Sequence, residues 1–145
     1  MLEQLADSPY ASFVRESLWG WPISLTVHAF GNAAVIGLSF IIALRLFGMF
    51  QPIPYTSRNY FFPIIRFSIV CQALSGFSLW MTKPDRYVAA GMFDAKFTFV
   101  IVGIVLTRIL QNIMRGEAST WEAKGRVPPR ALKFAAATAV CWAAV

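Results

Sequence analysis

His28 is the only histidine in this sequence of 145 residues, and of all its side chains it is the best candidate for a chemical role. It lies in a stretch, 17–44, without a single Lys, Arg, Asp or Glu, and Asn32 follows it one helical turn later. An ionisable residue inside an apolar helix is costly to place in a membrane and commonly marks a functional site. The sequence therefore directs attention to His28 and to the polar residues that can reach it.

A b-type haem is one chemistry that His28 can support. Neutral imidazole is a usual axial ligand of haem iron, and the interior of a helical bundle is a common haem site. Gly31 would leave room for the porphyrin beside the helix, and Lys96 would meet a propionate. The predicted haem-binding residues are His28 as iron ligand together with Gly31, Asn32, Ser75 and Lys96.

The second axial ligand is the open point of this hypothesis. A bis-histidine site needs two histidines, whereas the chain has one. The sixth position would therefore be filled by Met81, by Met92 or by His28 of a second copy, or it would be vacant.

Two other interpretations of the same residues stay open. In the first, the polar side chains hydrogen-bond to one another and hold the bundle together, as in a cofactor-free structural or assembly subunit. In the second, His28, Gln72, Thr107 and Gln111 line a proton or substrate path, for which a chain of this size would have to oligomerise. No P-loop, nucleophile elbow, GxGxxG or HExxH pattern occurs, so the sequence does not predict an enzyme that acts on its own.

The composition is that of a helical membrane protein. Hydrophobic residues make up 57% of the chain and charged residues 14%, against about 25% charged in soluble domains. The net charge of +6 comes from residues between the apolar runs, where membrane orientation explains them better than nucleic-acid binding does. Cys71 and Cys141 lie in separate apolar runs, which favours two buried thiols over a disulfide or a zinc site.

The apolar runs must position these residues, and they predict an all-α integral membrane bundle of four transmembrane helices. A short amphipathic helix, capped by Ser8 and Pro9, would precede the bundle and either lie in the membrane interface or pack on a partner subunit. The predicted parts are an interfacial region at 1–21 and a transmembrane bundle at 22–145, with spans at about 22–47, 61–81, 93–114 and 131–145.

The ends of the later spans carry further expectations. The polar stretch 115–130 is predicted to be the largest loop outside the membrane, and Pro63 is expected in the first turn of the second span. The last span reaches only about 22 Å, short of a bilayer core of about 30 Å. Either this helix stops part-way, or the sequence is a piece of a longer one.

Small and polar residues recur on one side of each of the first three spans, and such stripes face the interior of membrane bundles. The predicted inward stripes are Ser24, Gly31, Asn32, Val35 and Ser39; Ser68, Gln72, Ser75 and Gly76; and Lys96, Gly103, Thr107 and Gln111. On another side of the first span, Ala29, Ala33 and Gly37 form a small-xxx-small ridge. We expect this ridge to contact a further helix or subunit.

The distribution of basic residues predicts an orientation. Nine of the 13 Lys and Arg residues fall on the side of the first and third loops, and four fall on the side of the N-terminus and the second loop. The positive-inside rule then places the N-terminus and the C-terminus outside and the large loop in the cytoplasm. Arg45 and Arg66 are expected near the inner ends of their helices, with their charges at the headgroups.

The first span, with H-A-F-G from His28 and A-L-R-L-F-G from Ala43, resembles that of small uncharacterised bacterial inner-membrane proteins with about four helices. The similarity includes Tyr87, Phe93 and Lys96 and extends over about 23–107. The resemblance implies a bacterial inner-membrane location and a role for His28, Arg45 and Lys96. It does not indicate any particular activity. Together these observations predict a small membrane subunit or anchor of a larger assembly. A redox assembly is one of the options. The expected partners are membrane lipid and either other membrane-protein subunits or further copies of the same chain.

Overall fold

The computed structural model describes residues 2–89 and 92–145, and over these residues the chain is helical and contains no strand. The all-α class predicted from the sequence is therefore confirmed. The helices are α1 (Leu2–Ala6), α2 (Pro9–Glu16), α3 (Gly20–Leu46), α4 (Arg58–Thr82), α5 (Pro84–Ala89), α6 (Met92–Lys124) and α7 (Pro129–Ala143), and a 3-10 turn (Tyr55–Ser57) leads into α4.

Three of these helices are long and apolar enough to cross a membrane. They are α3, α4 with its preceding turn, and α6 from Asp94 onwards. The 27 residues of α3 extend over about 40 Å, more than the bilayer core of about 30 Å requires. The fourth predicted span corresponds to α7, which has 15 residues and is not among the three.

The predicted loop at 115–130 is wrong, because α6 continues through most of it to Lys124. No proline occurs in 115–124, and Ala118 and Trp121 are buried against the core on this extension. Gly125 then adopts a positive φ of 62°, the left-handed conformation in which helices commonly end. Only 125–128 connect α6 to α7.

The core lies where α3, α4, α6 and α7 meet. Helix α3 is central, since it packs against α4 over much of its length and also against α7. Helix α6 packs on α7 and on the 3-10 turn, but it meets α4 at only a few points. Val35, Ile65, Leu110 and Trp142 are the large side chains that fill the centre of this arrangement.

The N-terminal region follows the predicted capping, although the helix is shorter than expected. Ser8 Oγ accepts a hydrogen bond of 3.2 Å from the Ala11 amide, and Pro9 opens α2. The chain becomes extended at Ser17, so α2 ends before α3 begins and does not continue to residue 21. Helix α2 packs on both α3 and α4, where the Tyr10 hydroxyl lies 2.6 Å from Ser78 Oγ.

Arg45 organises the connection between α3 and α4. Its Nε donates to the Ile53 carbonyl, its Nη1 donates to the Tyr55 hydroxyl at 3.2 Å, and its guanidinium lies 4.0 Å from the centre of the Tyr55 ring. Tyr55 in turn meets Trp121 of α6 edge-to-face. Since α4 begins at Arg58, Pro63 is the sixth residue of the helix and lies beyond the first turn in which it was expected.

Candidate functional site

His28 lies between α3 and α4 and makes its hydrogen bonds through one ring nitrogen. Its Nδ1 is 3.1 Å from the Gln72 carbonyl oxygen and 3.3 Å from Ser75 Oγ. Ser75 Oγ is itself 2.6 Å from the Cys71 carbonyl, to which it donates. A carbonyl oxygen can only accept, so these partners assign the proton of the neutral imidazole to Nδ1 and the lone pair to Nε2.

Gln72 is the centre of this polar network. Its backbone carbonyl accepts from His28, while its side-chain Nε2 donates to Asn32 Oδ1 at 3.0 Å. Gln72 and Ser75 are buried, and His28 and Asn32 are half-buried. The stripes of α3 and α4 thus join these two helices through side chains that an apolar environment would otherwise leave unsatisfied. The sequence predicted that Gln72 lies on the inward stripe of the second span. It did not predict the hydrogen bond from Gln72 to Asn32.

Two glycines in the stripes allow the helices to approach closely. A Cβ atom on Gly31 would lie 3.1 Å from the Ser68 carbonyl oxygen and 3.3 Å from Gln72 Cβ, and one on Gly76 would lie 3.1 Å from His28 Cε1. The space that Gly31 was expected to offer a porphyrin is therefore occupied by α4. A small residue permits close approach of any neighbour, and here the neighbour is the backbone of the second helix.

Lys96 differs from the other residues of the inward stripes, because its side chain is exposed. Its stripe partners Gly103, Thr107 and Gln111 are buried, as predicted. The last turns of α7 cover α6 only from about Phe99, whose carbonyl oxygen is 3.2 Å from Cys141 Sγ. Lys96 lies almost one turn beyond that point.

Of the two methionines proposed as second haem ligands, the structure describes the side chain of Met81 but not that of Met92. Met81 is buried on α4, five residues beyond Gly76, which corresponds to about 7.5 Å along the helix from the turn that contacts His28. The side chains of Met92 and Phe93 lie outside the described residues.

Thr107 and Gln111 belong to hydrogen bonds on the other side of the bundle. Thr107 Oγ1 accepts from Trp142 Nε1 at 2.9 Å and donates to the Gly103 carbonyl at 2.7 Å. Gln111 Oε1 accepts from Arg108 at 3.2 Å. Within the described part of the chain, no hydrogen bond links either residue to the network around His28.

Acidic, histidine and cysteine side chains do not gather into a metal site in the described ranges, where no group of three or more is found. Cys71 and Cys141 are both free thiols.

Comparison of the chain with family models, with curated proteins and with solved structures finds no match. The fold and the site thus define an all-helical protein with three helices that are long and apolar enough to cross a membrane, two of them joined by a His–Gln–Asn–Ser network.

Proposed function

We propose that this chain is a small integral-membrane subunit or anchor, which assembles with a further transmembrane helix through α3. Ala29, Ala33 and Gly37, the α3 ridge, are the observation that carries the proposal. All three residues are exposed, and a Cβ atom on Gly37 would meet no other atom within 4 Å. The chain thus uses one small-residue surface of α3 for its own α4 and leaves the other open.

The α3 ridge has the chemistry of a helix–helix contact within a membrane. Lipid tails are as apolar as a helix surface, so association depends on close packing, which small residues at four-residue spacing permit. The polar residues of α3 face the other way and bond to α4. In this proposal the network around His28 fixes the α3–α4 pair, and the exposed α3 ridge receives a second copy of the chain.

The mass of the particle in native-membrane nanodiscs tests this assignment. We expect the wild-type chain to be recovered with at least a second copy, and Gly37→Leu to be recovered as one copy, because the larger side chain keeps the helices apart. Gly116→Leu is the matched control, since an added Cβ there also meets open space. A wild-type particle with the mass of a single chain, or equal masses for Gly37→Leu and wild type, would refute assembly through the α3 ridge.

A second candidate function, the binding of a b-type haem by His28, is favoured by the tautomer. Histidines that ligate metals commonly donate their other ring N–H to a carbonyl, as His28 Nδ1 donates to Gln72. No described group hydrogen-bonds Nε2, so it is the nitrogen that can face iron. A haem held there would supply one-electron redox chemistry to the assembly.

An absorption spectrum of protein purified from haem-supplemented cells separates the two functions of His28. Haem ligation predicts a Soret band that shifts on reduction and disappears in His28→Ala, while Thr107→Val, which alters the α6–α7 contact and leaves the imidazole in place, retains it. The structural role predicts colourless protein and a lowered melting temperature in His28→Ala. Haem absent from the wild type under these conditions would end the haem hypothesis.

We also infer that the chain resides in a bacterial inner membrane with its N-terminus in the periplasm, on the basis of the Lys and Arg distribution and the family resemblance. A reporter inserted after Gly125, between α6 and α7, should behave as cytoplasmic. One fused at the N-terminus should behave as periplasmic. The reverse pattern would invert the proposed orientation.

A further inference from the structure

Three arginines surround a small cavity between the first half of α4 and the middle of α6. Arg58, Asn59 and Arg66 come from α4, and Gln111 and Arg115 come from α6. We call this group the arginine cleft. Its volume is about 60 Å³, several times the roughly 10–15 Å³ that one water needs, so it can hold a group of the size of a phosphate.

Arg58 supplies the most informative observation. Its Nε and Nη1 atoms are buried from solvent, and no described group of the protein accepts a hydrogen bond from either of them. A charged N–H group that is buried without an acceptor is unfavourable, although Arg58 as a whole is only half-buried. The arginine cleft therefore has two buried donors and lacks the acceptor that would satisfy them.

The electrostatics of the cleft favour an anion. Among the described residues no carboxylate lines the cavity, so no acidic group there balances the positive charges of Arg58, Arg66 and Arg115. Arg58 is also the first residue of α4, where the positive end of the helix dipole disfavours a cation. The described ion pairs are Arg15 with Glu16 and Arg130 with Glu117, and neither reaches the cleft.

We propose that the arginine cleft binds a phosphate group, which is the anion best matched to several guanidinium forks. Planar guanidinium donors bind phosphate oxygens through paired, charge-assisted hydrogen bonds. The apolar side chains of Phe62 and Pro63 complete the cavity, and Phe67 on the same helix is 70% exposed. This surrounding favours the phosphate of an anionic phospholipid, whose acyl chains can follow α4 into the membrane, as in basic pockets between transmembrane helices.

A second basic cavity shows why the arginine cleft is the better site. It lies near Arg15, Lys83 and Arg86 and is larger, about 510 Å³. Arg15 there already donates to the Ala6 carbonyl and to Glu16. Its cation is therefore partly satisfied by the chain itself, unlike that of Arg58.

Binding of dioleoyl-phosphatidylglycerol to the full chain in neutral detergent micelles, followed by native mass spectrometry and by melting temperature, tests the proposal. Phosphatidylcholine and inorganic phosphate are the comparison ligands. We expect phosphatidylglycerol to bind and to raise the melting temperature, and Arg58→Gln and Arg115→Gln each to weaken binding about tenfold or more, the loss expected for one or two charge-assisted hydrogen bonds. Arg126→Gln, an exposed arginine in the 125–128 loop, is the matched control and should change binding less than twofold.

Each outcome decides the matter. Selective binding of phosphatidylglycerol that depends on Arg58 supports a lipid headgroup site, and Arg58-dependent stabilisation by inorganic phosphate alone supports a free phosphate site. Binding of phosphatidylglycerol that is no tighter than that of phosphatidylcholine, with no effect of inorganic phosphate, overturns the proposal. Equal losses in Arg126→Gln and Arg115→Gln also overturn it. Because Arg115 is exposed, Arg115→Gln and the charge-preserving Arg58→Lys keep the test decisive if Arg58→Gln fails to fold.

Discussion

Replacing Trp142 by alanine is expected to destabilise the bundle by about 3–5 kcal/mol, the usual range for removal of a fully buried aromatic side chain. Trp142 is fully buried, and its ring covers Gly103, whose added Cβ would lie 2.9 Å from Trp142 Cε2. It also donates the hydrogen bond to Thr107. Cys141 and Arg130 of α7 also have polar contacts with α6, to the Phe99 carbonyl and to Glu117, but Cys141 is small and Arg130 is exposed. Loss of Trp142 therefore leaves a cavity and removes the hydrogen bond that Thr107 accepts.

Unfolding in mixed micelles, monitored by circular dichroism, measures this effect. Val140→Ala on the same helix is the control, because Val140 is 67% exposed and its truncation should cost less than about 0.5 kcal/mol. Thr107→Val keeps the side-chain shape and removes the hydrogen bond, for an expected loss of about 1 kcal/mol. Similar stabilities for Trp142→Ala and Val140→Ala would show that the α6–α7 contact does not hold the fold together.

The sequence could predict the helices because a membrane-spanning helix is recognisable from its own run of apolar residues, without knowledge of tertiary contacts. The absence of charges over 17–44 and the prolines near 52 and 54 place α3 and the connection after it within a residue or two. The end of α6 could not be found in this way. Its polar extension is stabilised by burial of Ala118 and Trp121 against other parts of the chain, a tertiary effect that local polarity conceals.

The candidate site was predictable in its membership and less so in its geometry. The stripe pattern correctly put His28, Gln72 and Ser75 on facing surfaces, because polar side chains in a membrane bundle form hydrogen bonds with one another rather than face lipid. It could not show that Gly31 would be covered by α4, since a glycine in a stripe fits a helix as well as a ligand. Nor could it show that Lys96 is exposed, because that depends on how far α7 extends along α6.

The two glycines of α3 provide a comparison within one helix, and Gly31→Leu is expected to disrupt the α3–α4 pair. The new side chain would begin 3.1 Å from the Ser68 carbonyl, and because that atom belongs to helix backbone it cannot yield without moving α4. Overpacking usually costs about 1–3 kcal/mol, and a contact with rigid backbone belongs at the upper end of that range. The separation of the helices would also break the bond of Gln72 to Asn32.

Gly37→Leu makes the same chemical change on the same helix, where the added Cβ meets open space. We expect it to leave the melting temperature of the isolated chain close to that of the wild type, whereas Gly31→Leu lowers it substantially or prevents recovery of folded protein. The milder Gly31→Ala keeps the comparison measurable in that case, since its Cβ alone makes the close contact. If Gly31→Ala and Gly31→Leu were both as stable as Gly37→Leu, α4 could not lie against Gly31, and the space predicted there for a porphyrin would be open.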